Sequence, residues 1–218
     1  MGIVFNAISI YILCNTKMNR SFFNRLLVCL AIVDSVFLAT GIYVALSMQV
    51  VESLSNSNEH YHHQLIFITI LYPARNILMS ISIYMTIGLA YERFTSITKP
   101  YLYRARETAN KCRRLVSYVA PVFIISIIYN LPKFFELKLL EECQTCEEKF
   151  GNETSLKKHH TNAYSIHPTD LRKNNYYILW YVNISNLIVT SVVPGILLII
   201  FNYKIYSASN KHRYKKTL

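Results

Sequence analysis

The chain has 218 residues, 52% of them apolar and only 16% charged, yet its formal net charge is +11. Soluble domains are about one quarter charged, so an ordinary soluble domain is excluded, and so is a chain too polar to fold. Five Gly and six Pro exclude a collagen-like or low-complexity chain.

The first element, residues 1–15, is apolar from Gly2 to Cys14 and breaks at Asn15, Thr16 and Lys17. A membrane crossing takes about 20 apolar residues, so this stretch is too short alone. It has no basic leader or cleavage site of a signal peptide. Asn6 stands where a myristoylation motif needs Ser or Thr. It is expected to be the inner end of a span cut short. Four long blocks follow. Residues 26–51 hold one charge, Asp34, and residues 64–91 hold one, Arg75. Residues 115–131 and 176–203 hold none. Buried helices of soluble cores are about 10–14 residues long, so these blocks read as membrane spans.

The charges alternate in side. The segments after the first, third and fifth spans carry fifteen basic residues against two acidic ones, Glu92 and Glu107. The opposite side, including residues 133–175, has a net charge of −2. Short cytoplasmic loops hold the Lys/Arg excess, which places the amino terminus outside and the carboxyl terminus inside. The basic stretch 104–114 is accounted for by topology without nucleic acid, and would attract anionic membrane lipid. Asp34 and Arg75 are functional candidates because ionisable groups are costly within a membrane.

The third span ends Leu89-Ala90-Tyr91-Glu92-Arg93-Phe94, with Pro100 seven residues beyond Arg93. The second contains Leu30-Ala31-Ile32-Val33-Asp34, the first Asn6, and the fifth Pro194 and Tyr203. In this order they resemble the helix signatures of rhodopsin-like (class A) G-protein-coupled receptors. Leu71-Tyr72-Pro73 and Tyr129-Asn130-Leu131-Pro132-Lys133-Phe134-Phe135-Glu136 resemble the invertebrate FMRFamide-receptor-like neuropeptide receptors. The resemblance implies an all-α membrane helical bundle, a single partial seven-helix domain covering helices 1–5. The sixth and seventh helices, with their Trp-x-Pro and Asn-Pro-x-x-Tyr motifs, are absent, so the chain is expected to be a receptor fragment.

The resemblance also assigns roles. Glu92, Arg93, Phe94, Pro100 and Tyr203 would couple to a heterotrimeric G protein, with Glu92 holding Arg93 at rest. Asp34 and Ser82 would form an allosteric sodium pocket, the one cofactor implied. Asn6 and Pro194 would pack helices. Tyr72 and Arg75 would face the ligand; Arg75 argues against an amine and fits a peptide. Two departures stand out. Ile68 occupies the level where the third helix usually carries a disulfide-bonded Cys, and no Cys lies between Cys29 and Cys112. The fourth helix lacks its usual Trp; the one Trp is Trp180.

Cys143, Cys146, Phe150, Leu156 and His159 follow a zinc-finger spacing. The last ligand fails, since the next His is adjacent or eight residues on. In an outside loop Cys143 and Cys146 would instead be a candidate disulfide, so no metal is expected. Asn152-Glu153-Thr154 is a glycosylation sequon on the outer side. No span pairs a nucleophile with a base and there is no phosphate loop, so no enzyme is expected. The sequence implies a plasma-membrane receptor with an extracellular peptide ligand. Half of an inverted-repeat transporter, or a receptor fragment that does not signal, are the other readings.

Overall fold

The computed structural model describes residues 1–15, 21–53, 64–101, 103, 111–145 and 160–217. The protein is an all-α membrane helical bundle with one added hairpin. Helix α1 spans Gly2–Asn15 and packs on α2, Phe22–Ser53. A wide helical turn, Phe67–Leu71, leads into α3, Tyr72–Thr98. Helix α4, Lys111–Asn130, ends in a tight turn at Leu131–Phe135. Among the described residues, four helical stretches are long and apolar enough to cross a membrane: Phe22–Ser47, Gln64–Thr98, Arg113–Phe135 and Asn175–Asn210. Gly2–Cys14 is a shorter apolar helix.

Strands β1, Leu137–Thr145, and β2, His160–Pro168, pair antiparallel, from Leu137 opposite Pro168 to Thr145 opposite His160. Read from residue pattern alone this segment is a loop, and the hairpin is an addition to the helical plan. After it come α5, Asp170–Lys173, and α6, Asn175–Tyr177. Wide turns at Ile178–Ser185 and Ile188–Val192 then lead into α7, Val193–Thr217.

Helix α3 is the hub, touching α2, α4 and α7. Ile77, Ile81, Met85 and Leu89 recur every fourth residue, so they line one helix face. Ile81, Met85 and Leu89 are buried with Leu26 and Val33 of α2, and Val119, Val122 and Phe123 of α4 close the cluster. Elsewhere apolar side chains point outward: Ile199 is 70% exposed and Ile128 66%. Such continuous apolar surface is suited to lipid, not water. Within it, hydroxyls return to their own helix backbone, as Ser80 Oγ does to Asn76 O and Thr86 Oγ1 to Ser82 O.

Two prolines set the local shape. Pro73 follows a wide turn whose last bond runs from Tyr72 N–H to Phe67 O. Pro194 follows another, whose last bond runs from Val193 N–H to Ile188 O. A proline ring collides with the carbonyl four residues back and donates nothing, so widening the preceding turn relieves it. The next acceptor in the second turn would be Val189 O, which Pro194 cannot serve. Tyr84 of α3 serves it instead, its hydroxyl donating at 2.9 Å. Tyr84→Phe is therefore expected to cost about 1 kcal/mol, the scale of such bonds inside membranes. Thermal unfolding in detergent measures it; an unchanged midpoint would show that the carbonyl is satisfied otherwise.

Candidate functional site

The polar groups of the bundle gather at three levels along α3. At its carboxyl-terminal end Glu92 is 1% exposed. Arg114 of α4 donates Nη2 to both carboxylate oxygens, at 3.1 and 2.8 Å. The guanidinium lies over the fully buried Phe22 ring at 4.0 Å and near Tyr103 at 5.6 Å. Phe22 meets Tyr118 edge-on at 5.4 Å. The result is a cation sandwiched between aromatic faces and neutralised by a buried carboxylate.

This corrects the expected Glu92–Arg93 pair. Neighbouring residues on a helix project about 100° apart. When Glu92 turns toward α4, Arg93 turns toward α2, and its guanidinium lies over Phe23 at 5.0 Å. Phe94 turns the other way and stacks on Phe201 of α7, at 5.9 Å and 23°. Tyr91 approaches Phe201 edge-on at 5.8 Å, and Lys204 lies over Phe94. Phe201 and Lys204, on either side of the expected Tyr203, are thus contacts from α7. Tyr203 is 70% exposed. Pro100 is exposed just beyond α3.

At the middle level Ser82 Oγ donates to Asp34 Oδ1 at 2.6 Å, joining α3 to α2. The pair expected from the sequence is therefore in contact. Asn6 is partly buried on α1, and Pro194 is buried at the start of α7. Arg75 lies flat against α2, over Phe37 at 5.0 Å. A Cβ at Gly41 would sit 2.7 Å from its Nη1. Gly41 thus leaves room for the guanidinium beside α2.

At the amino-terminal end of α3 the polar centre is Glu136, with no exposure at all. Lys133 Nζ and the Tyr177 hydroxyl each donate to Oε1 at 2.8 Å. The Tyr72 hydroxyl donates to Oε2. Arg172 stands 3.4 Å from Oε2, close enough for an ion pair without hydrogen-bond geometry. Burial pushes the carboxyl upward, but the bonds from Lys133, Tyr72 and Tyr177 and the charge of Lys133 outweigh it. The net displacement is below the ordinary value. Below this cluster Asn130 donates to Ser80 Oγ at 3.0 Å, and Tyr181 to Tyr129 O at 2.6 Å.

The sequence singled out Tyr72 as a ligand-facing residue, but not as a member of a cluster with Glu136, Lys133, Arg172 and Tyr177. Lys133 and Glu136, three apart in an apolar stretch, were the available signal. Cys143 lies in β1 opposite Asn162. Cys146, His159 and the sequon at Asn152 lie outside the described residues. Among the described residues no three His, Cys, Asp or Glu side chains gather as a metal site.

Known proteins bear on this arrangement. Residues 1–205 match the family model described as serpentine type 7TM GPCR chemoreceptor Srw. Over 207 residues the chain is 30% identical to the FMRFamide receptor of Drosophila melanogaster, a match covering 94% of this chain and 35% of that receptor. The chain therefore spans about a third of the length of the curated relative it matches.

Proposed function

The chain belongs to the serpentine 7TM GPCR chemoreceptor family Srw, and on that premise we propose that it is the peptide-sensing, rhodopsin-like part of a receptor coupled to a heterotrimeric G protein. The ligand class proposed is an FMRFamide-like amidated peptide, supported by the 30% identity to a receptor of that name. The Glu136 end would face outside and the Arg93 end the cytoplasm of the plasma membrane, following the basic-residue asymmetry. The half-transporter reading gives way to the family match.

The observation that carries the coupling role is the division of labour at the end of α3. Glu92 is already neutralised by Arg114, so Arg93 is left on an aromatic face at the rim. An arginine resting on a ring is inexpensive to redirect toward a partner. Phe94, Pro100 and Tyr203 border the same rim. Asp34 and Ser82 would hold an allosteric sodium ion; both offer oxygen, which suits a hard cation. Asn152 would carry a glycan.

The test is G-protein activation in cells expressing the receptor, driven by amidated peptides including Phe-Met-Arg-Phe-amide. Arg93→Ala should lower activation by about tenfold or more, a typical coupling range, with peptide affinity little changed. Undiminished signalling without Arg93 would remove its assigned role.

A further inference from the structure

Helix α3 contains no cysteine, and none occurs between Cys29 and Cys112. The β1–β2 hairpin therefore has no thiol on α3 to which it could be bonded. Yet its base is held firmly. Thr169, just after β2, donates its backbone N–H to Glu136 O at 3.0 Å. Its hydroxyl reaches Phe135 O at 2.6 Å and Glu136 O at 3.1 Å. The two ends of the hairpin are thereby clasped at one residue, and that residue's side chain is the buried carboxylate.

Every element packed around the carboxylate contributes a partner. Tyr72 comes from α3, Lys133 from the turn after α4, Arg172 from α5 and Tyr177 from α6. Tyr181, one turn beyond Tyr177, lies under Lys133, whose ammonium sits 5.3 Å from its ring. A buried carboxylate with this many donors is tied to all of them at once, because moving any one element strands a charge or a lone pair.

We propose that Glu136 is the positioning residue that fastens the β1–β2 hairpin to the ends of α3 and α6, a non-covalent fastening in place of a cross-link between hairpin and helix. The hairpin's placement is then indifferent to thiol reductants and depends on one carboxylate. Taken with the receptor reading, this makes Glu136 a requirement for ligand binding that it never touches, since it is wholly buried.

The experiment uses the chain in lipid nanodiscs and follows amide hydrogen exchange in residues 137–140 and 165–167, with residues 77–90 of α3 as the internal reference. Dithiothreitol should leave hairpin exchange unchanged. Glu136→Gln keeps an acceptor but loses the charge for Lys133 and Arg172, and should accelerate hairpin exchange by about tenfold while α3 exchange holds. Glu136→Asp should fall between the two. Should the Gln variant not fold, Tyr177→Phe, which removes one donor and no charge, should give a smaller acceleration in the same segments. The proposal is overturned if reductant alone releases the hairpin. It is equally overturned if the Gln and Phe variants exchange like the parent, or if α3 loosens in step with the hairpin. A failure of the receptor reading shows elsewhere, as absent peptide binding by a chain whose hairpin is protected.

Discussion

Arg114→Ala is expected to destabilise the bundle by about 3–5 kcal/mol, the cost of stripping one partner from a buried ion pair. Glu92 keeps 1% exposure in the intact protein, so water does not take over from the lost guanidinium. The substitution also removes the cation between Phe22 and Tyr103. Glu92→Gln in the same chain should restore part of the loss, because no uncompensated carboxylate then remains. Thermal unfolding of the two single variants and the double variant gives the coupling between the side chains directly. Additive losses would mean that the pair is not a unit. The consequence for signalling differs from that of Arg93→Ala: Arg114 variants should lose folded protein, whereas Arg93 variants should keep it and lose coupling.

Glu136→Ala carries a loss of the same size, about 3–5 kcal/mol, because Lys133 would be left buried without its counter-charge. The parent should also release its hairpin in acid. The folded carboxyl titrates below its ordinary value, and an unfolded Glu titrates near pH 4.3. A group depressed by folding contributes stability that is fully present above the unfolded value and is lost as pH falls through the folded one. Hairpin protection should thus be flat from pH 7 to about 5 and decline below about 4. Other carboxylates titrate there too, so the diagnostic quantity is the difference between parent and Glu136→Gln. Identical acid profiles would sink the assignment.

The membrane spans and the order of signatures along them are legible in the sequence because they depend on local runs and short spacings. Asp34 and Ser82 could be placed together only by resemblance, and their 2.6 Å contact shows the two helices in that register. What the sequence hides is decided by rotation and crossing of helices. Glu92 and Arg114 are separated by a whole connecting segment, so no spacing marks them as partners, whereas Glu92 and Arg93 are adjacent and invite a pairing that helix geometry disfavours. The Glu136 cluster draws on four elements between Tyr72 and Tyr177. The hairpin lacks clean alternation: Leu137-Lys138-Leu139-Leu140-Glu141-Glu142 shifts phase at Leu140, which weakens any strand signal.

The wide turns that precede Pro73 and Pro194 have a bearing on how such a chain can vary. Each accommodates an extra residue per turn within an otherwise regular helix. Loss of that residue would rotate everything on its far side by about 100° while leaving the near side in phase. The parts of these helices toward Glu136 can therefore be re-aimed by a single-residue insertion or deletion, without disturbing the arrangement around Glu92, Arg93 and Phe201. On the proposed receptor function, ligand preference and intracellular coupling would then drift on separate schedules in a lineage of related chains.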